Sequence, residues 1–452
     1  MSTVAHLRAL LVLGLPLVGG HLAQFAITLT DTVMMGWYSV EGLAAVVLAG
    51  TYFFLLFIFG SGFAQAVMPL VASQYAQGDD VQMRRTTRMG LWMSALFGFA
   101  VLPGFWWSGP ILLALGQDPE IALAAQSYLR IAGWGILPAL GVMVLKSYLA
   151  ALERTRIVLW VTLIAAALNV VLNYALIFGN FGAPELGLRG SAIASLCVQT
   201  ASLVLIVIYA LRAVPEHNLL QRIWRPDWDV FMLVARIGVP IGFTLLAEVG
   251  LFAAATLMMG WLGTIPLAAH GVALNLASAT FMIHLGLSNA ATIRAGNAKG
   301  RGDPEHLMTG AKVVFWLSML VAVLTIAAFV FFDAPLIRLF VDPAEPNLPQ
   351  ILAVGSVLLL MAGVFQLVDA AQVIALGLLR GLQDTKVPMI YAAIGYWLVG
   401  VPISYVLGFP MGYGGVGIWA GLAVGLAVVA VTMMARFMRL APTLGAPSAR
   451  AR

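Results

Sequence analysis

The chain holds 452 residues, 62% of them hydrophobic and only 10% charged, with a mean hydropathy of +0.97. These proportions exclude a soluble globular protein and indicate an integral membrane protein. The net charge of +5 is dispersed along alternate loops, which argues against nucleic acid as a partner, and a single cysteine, Cys197, excludes an internal disulfide.

About 20 apolar residues are needed to cross the hydrocarbon core as a helix, and the chain offers twelve such stretches. The first, 9–36, follows only His6 and Arg8; it is too long for a signal-peptide core and has no small-residue cleavage site, so a retained helix is expected. His21, Gln24, Thr28 and Asp31 recur along one face of it. Stretches 43–70, 88–113 and 122–150 follow, then 157–179, where Asn169 and Asn173 stand one turn apart, and 190–211, which carries Cys197 as a small packing residue. A basic, proline-containing linker with Pro215 and Pro226 leads to 231–260, where Thr244 lies one turn before Glu248. After 266–292 and 311–333, the stretch 350–379 aligns Gln366, Asp369 and Gln372 on one face; 387–409 and 414–438 complete the set.

Lysine and arginine concentrate in every second loop, from Arg84, Arg85 and Arg88 to the tail beginning at Arg436, while the remaining loops hold chiefly Arg130, Arg189 and Arg338. Positive loops stay cytoplasmic, so both termini are expected inside. Shifting the sequence against itself by 224 residues superimposes LGLP at 13–16 on IGVP at 237–240 and MMGW at 34–37 on MMGW at 258–261. At a shift near 230, LERTR at 152–156 meets LQDTK at 382–386. The chain is therefore an internal duplication, all-α, with twelve transmembrane helices in two six-helix lobes. An even number of helices returns each copy to its starting side, so the lobes are expected to be related by a pseudo-two-fold axis along the membrane normal. The expected division is an N-lobe at 1–212, a cytoplasmic linker at 213–230, a C-lobe at 231–440 and a cytoplasmic tail at 441–452.

Among the 19 acids, only Asp31, Glu248 and Asp369 fall well inside apolar stretches. An ionised group in hydrocarbon costs from about 3 to more than about 10 kcal/mol, so such residues face a cavity or a partner. The competing reading is a neutral, hydrogen-bonded acid bracing two helices. Glu248 lies twelve residues past Arg236 and Asp369 eleven before Arg380, which puts both at a similar depth of roughly 17 Å on antiparallel helices, able to share one site. Asn169 and Asn173 reach the same half of the membrane as Asp31, and their amides satisfy an aspartic acid in either protonation state; alternatively they only join helices. Under the 224-residue shift Gln24 matches Glu248, whereas Asp31 matches Ala255, so the two copies differ in where they place acids. His21, His270 and His284 lack the i, i+4 spacing of a metal site and are expected to bridge helices. Catalytic-serine, zinc and nucleotide motifs are absent from the sequence, so no enzymatic role is expected.

The stretches PLVG and TDTVMMG within 16–36, PLVASQY at 69–75, LAAHGVALN at 267–275, AATIRAGNAKG at 290–300, and Asp369 through LRGLQDT at 379–385 resemble the multidrug and toxic compound extrusion (MATE) transporters of the bacterial NorM-like branch. The resemblance covers nearly the whole chain. It implies a multi-pass protein of the bacterial inner membrane, monomeric, exporting organic cations in exchange for protons or sodium, with no other cofactor. By motif, Asp31 with Asn169 and Asn173 corresponds to an N-lobe ion site, and Glu248 with Asp369 to a C-lobe site that could take a proton or sodium. Gln24, Thr28, Thr244, Phe365, Gln366 and Gln372 are then expected to line the substrate cavity. Relatives of this branch often carry a tyrosine one turn before the helix-ten aspartate; here Phe365 removes that oxygen. The rival reading is a lipid-linked saccharide flippase of the wider superfamily, whose cavity would need several basic side chains; Lys146 and Arg130 are the nearest candidates. A channel or structural membrane protein is the second rival.

Overall fold

A computed structural model describes residues 2–445, and among them every regular element is helical. Twelve helices are long and apolar enough to cross a membrane. The first six are α1 (Thr3–Tyr38), α2 (Val40–Gln77), α3 (Asp80–Trp106), α4 (Pro119–Ala151), α5 (Thr155–Phe178) and α6 (Gly187–Ala213). The second six are α7 (Trp228–Leu262), α8 (Thr264–Arg301), α9 (Pro304–Phe331), α10 (Leu348–Gly381), α11 (Lys386–Gly408) and α12 (Gly414–Leu444).

The duplication read from the sequence extends to the helix ends. A shift of 224 residues carries α2 onto α8 from end to end. Both helices stop at a left-handed glycine, Gly78 at φ 72° and Gly302 at φ 64°, a conformation that a Cβ disfavours. An aspartate then caps the next helix in each copy: Asp79 accepts from the Gln82 N–H and Asp303 from the His306 N–H. The turns after α4 and α10 match as well, with Glu153 and Gln383 both left-handed at φ 62°.

Two compact units form, one comprising Gly19–Gly242, the other the residues up to Val18 together with those from Phe243 onward. The sequence division at 212 and 231 is thus not where the compact units part: the breaks fall inside α1 and α7, two residues beyond Pro16 and Pro240. A proline inside a helix removes a backbone hydrogen bond and loosens the rod at that point. Glycines then admit the displaced segments. A Cβ on Gly286 would meet the Val18 nitrogen at 2.7 Å in one unit, and one on Gly62 would meet the Gly238 carbonyl oxygen at 2.5 Å in the other. The expected linker 213–230 belongs to the first unit, and residues 446–452 of the expected tail lie outside the described residues.

In the first unit, Met35, Phe105, Leu129, Ile136 and Ile177 form the buried core. The linker is fastened to α3 by Arg85 with Asp227, by the Trp92 indole N–H to the Ile223 carbonyl at 2.7 Å and by Arg88 to the Arg222 carbonyl at 3.3 Å. The Arg85 guanidinium holds the Asp227 carboxyl below the usual carboxylate range. In the second unit, α8, α10 and α12 surround a core containing Phe365, Tyr396 and Trp419. Helix α11 opens into a π segment at Ile394–Gly400. Pro402 cannot donate to the carbonyl four residues back, which frees Leu398 from the regular ladder and favours the wider turn.

Candidate ion-coupling sites

Each unit holds its own intramembrane acid site. In the first, α1 approaches α5 closely, since the Cβ position of Gly19 lies 2.9 Å from the Leu159 side chain. That approach brings the two asparagines one turn apart on α5 to one carboxylate oxygen. Asn169 Nδ2 donates to Asp31 Oδ1 at 2.8 Å, and Asn173 Nδ2 donates to the same atom at 2.6 Å. The amide oxygens of Asn169 and Asn173 are buried and have no hydrogen-bond partner among the described residues. Asp31 itself is only partly buried, and Gln24 and Thr28, toward the start of α1, are exposed along the helix. One carboxylate oxygen is thus fixed by two neutral donors, an arrangement that tolerates both ionisation states.

In the second unit, α10 carries the acid. Asp369 is 3% exposed, and its Oδ1 has no hydrogen-bond partner among the described residues. Glu248, on α7 and partly buried, lies within electrostatic reach of Asp369, as the matched depths predict. Two like carboxylates in a low-dielectric site do not both ionise freely; their titrations are coupled. The predicted polar stripe is present but committed to helix contacts. Gln366 Nε2 donates to the Ala277 carbonyl at 2.9 Å, and Gln372 Nε2 donates to the Tyr396 hydroxyl at 2.9 Å. Both glutamines are fully buried, and their amide oxygens lack partners among the described residues. Thr244 is buried one turn before Glu248. Phe365, expected to line a cavity, is 1% exposed and enclosed edge-on between Phe252 and Trp419, at centroid distances of 5.9 and 5.4 Å.

Two residues of this site escaped the sequence reading. Tyr396 is fully buried in the π segment and faces the electrostatic field of Glu248, Asp369 and Arg380. Arg380, expected in a cytoplasmic loop, is 5% exposed inside the last turn of α10 and within electrostatic reach of Glu248. Its spacing of eleven residues from Asp369, just over three full turns, was the available signal. The histidines bridge helices as expected: His284 Nδ1 contacts Ser318 Oγ at 2.8 Å, and His270 Nε2 contacts Thr256 Oγ1 at 3.1 Å.

Comparison with known proteins bears on the lineage and the fold of the chain. The MatE family model matches residues 16–175 and 240–406. The probable multidrug resistance protein NorM of Rhizobium meliloti (strain 1021) is 47% identical over 441 residues, 97% of this chain and 94% of the relative. Its counterpart in Agrobacterium fabrum (strain C58 / ATCC 33970) is 44% identical, over 97% and 95% of the two chains. Among solved structures, a MATE protein in complex with MaL6 superimposes with a TM-score of 0.88 over 97% of both chains at 18% identity. A transporter of the MOP superfamily from Pyrococcus furiosus, described as having reversed polarity in its binding pocket, reaches 0.87 over 98% of this chain and 97% of its own, also at 18%. These structural likenesses bear on the fold, and the sequence matches on the lineage: the chain belongs to the MatE family of multi-pass membrane transporters.

Proposed function

We propose that this protein is a secondary active multidrug efflux antiporter of the bacterial inner membrane, exporting cationic amphipathic compounds in exchange for protons, with sodium as the alternative coupling ion. The observation that carries the reading is Asp369: a buried acid, in the middle of a membrane-spanning helix, whose Oδ1 has no hydrogen-bond partner among the described residues and which lies in the field of a second acid, Glu248. A structural acid is saturated by donors; an acid whose charge must change during a cycle keeps an oxygen available. When both carboxyls are charged the site favours an organic cation, and when a proton or sodium neutralises one of them that cation is released. Asp31, with Asn169 and Asn173, supplies a second ion site in the other unit. The chain works as a monomer with both termini in the cytoplasm.

Purified protein in proteoliposomes, given a pH gradient or a sodium gradient and a fluorescent organic cation, tests the reading. Gradient-driven movement of the cation supports it, and movement that ignores both gradients defeats it. The lipid-linked saccharide alternative predicts instead that labelled saccharide lipid crosses the same vesicles while the cation does not.

A further inference from the structure

Where α3 ends against α4, aromatic side chains wall a cavity of about 280 Å³ that the coupling scheme does not use. Phe99, Trp106 and Trp107 line it from the end of α3 and the residue after it, Arg130 and Trp134 from α4, one turn apart on the same face. The two helices meet closely at one wall: a Cβ on Gly133 would stand 2.7 Å from that of Phe105. Trp106 lies eighteen residues past Arg88, about 27 Å along α3 and close to the thickness of the hydrocarbon core, which puts the cavity at the membrane interface opposite the basic loops. Tryptophans are ordinary there; arginine is not, since basic residues are few on that side. Arg130 is exposed, with its guanidinium 5.3 Å from the centre of the Trp106 ring and its Nε donating to the Trp106 carbonyl at 3.2 Å. That carbonyl already accepts from Gln126 Nε2 at 3.0 Å, so it does not depend on the arginine. Of the five guanidinium N–H donors, the four on the η nitrogens have no protein partner and no carboxylate pairs with them among the described residues. The nearest acid along α4, Glu120, stands ten residues away, about 15 Å.

We propose that this cavity is a binding site for an anionic phospholipid: its phosphodiester sits on the Arg130 guanidinium, and one acyl chain lies along the rings of Phe99 and Trp134. The planar fork takes two phosphate oxygens in parallel, and the contacts to the Trp106 ring and carbonyl hold it in one orientation, so little side-chain freedom is lost on binding. A zwitterionic lipid brings the same phosphate together with an ammonium group that Arg130 repels, so the site selects the anionic headgroup. An organic cation is repelled for the same reason, which separates this site from the path of the exported compounds. The inference does not rest on the efflux reading. A lipid held here bridges the end of α3 and the tighter turn at Gly133–Gly135 that interrupts α4.

The test uses the whole protein in nanodiscs of phosphatidylglycerol and phosphatidylcholine. A trace of one lipid or the other carries a photoactivatable diazirine on an acyl chain, and the labelled peptides are mapped by mass spectrometry. Labelling at Leu320 and Leu324, exposed on α9, sets the background common to both headgroups. In unaltered protein, the phosphatidylglycerol probe should label residues 99–107 and 129–134 about fivefold more than the phosphatidylcholine probe, as one arginine at a membrane surface predicts. That result needs no variant to fold. Arg130→Met should bring the ratio below about twofold, and Arg130→Lys should keep part of the preference, because the charge remains while the fork is lost. A ratio near one in unaltered protein, or a preference that survives Arg130→Met unchanged, would overturn the proposal. Loss of the preference when inorganic phosphate replaces chloride at equal ionic strength would overturn it too, by showing a site for a soluble anion and not for a lipid.

Discussion

Asp31 and Asp369 are both aspartates within apolar helices, yet one receives two amide donors on Oδ1 and the other none among the described residues. The difference sets separate expectations. At Asp31 the carboxylate and Asn173 act as a unit, so Asp31→Asn should lower efflux and Asn173→Ala should add little to it. Removal of the Asn173 donor alone costs about 1–3 kcal/mol, as for other buried hydrogen bonds. A double-mutant cycle on transport rates measures the coupling, and strictly additive losses would show that the two do not share a site. At Asp369 the neutral amide of Asp369→Asn keeps the shape and loses the titration, as does Glu248→Gln. Each should reduce gradient-driven export below about one-tenth of the wild-type rate while expression and melting in detergent stay near normal, because neither change opens a cavity. Normal efflux from either variant would remove that pair from the mechanism. The Asp31 site was legible from spacing, since α1 and α5 are regular helices and residues one turn apart on α5 must face the same way. Tyr396 was not, because spacing rules assume 3.6 residues per turn and Tyr396 sits in a π segment.

Helices α1 and α7 show what an element-level reading reaches and what it misses. Their lengths and prolines follow from the sequence, but the change of packing partner near Pro16 and Pro240 depends on whether a neighbouring helix can come close enough. Glycines decide that, and glycine carries no hydrophobic signal. Gly62→Ala should therefore be poorly tolerated: its Cβ would stand 2.5 Å from both the Gly238 oxygen and the Gly242 nitrogen, backbone atoms with no rotamer to yield. A cost of about 1–3 kcal/mol is expected, read as a lower melting temperature in detergent, and an unchanged melting temperature would contradict the close approach. The linker is another case. Its composition identified it as polar, but its fastening to α3 through Arg85 and Asp227 joins residues 142 apart in sequence, which no local pattern reveals. Folding lowers the Asp227 pKa, so the bridge contributes fully above the ordinary carboxylate value and is lost as pH falls through the lower folded value. Asp227→Asn should accordingly melt slightly earlier at neutral pH, by about 1 kcal/mol for a pair whose arginine side chain is 35% exposed. The difference should shrink in high salt and close as pH drops below the carboxylate range.

For the molecule as a whole, the duplication lets one copy be read against the other. Helix ends, caps and turns repeat, the capping aspartates Asp79 and Asp303 among them, so they belong to the scaffold; the intramembrane acids Asp31, Glu248 and Asp369 do not repeat, as the proposed transport chemistry expects. The coupling ion is where the two candidate chemistries separate. Sodium requires several oxygens arranged around it, while a proton requires one basic atom that it can reach and leave. Next to Asp369, the turn that could have supplied a hydroxyl holds Phe365, enclosed by Phe252 and Trp419 with no oxygen to offer. Buried oxygens without partners among the described residues remain at Gln366 Oε1 and Gln372 Oε1, on side chains whose amide nitrogens are already anchored, with the hydroxyls of Thr244 and Tyr396 as further buried oxygens. A proton would need only the carboxyls of Asp369 and Glu248, whereas sodium would draw on further oxygens, of which the unpartnered glutamine oxygens are the candidates that leucine substitution tests. A pH gradient imposed in sodium-free proteoliposomes should drive export of an organic cation, and Gln366→Leu with Gln372→Leu should slow that export by less than about tenfold, since the titrating carboxyls are untouched. If only a sodium gradient drives export, and the double leucine variant abolishes it, the glutamine oxygens are ion ligands and the proton assignment is wrong.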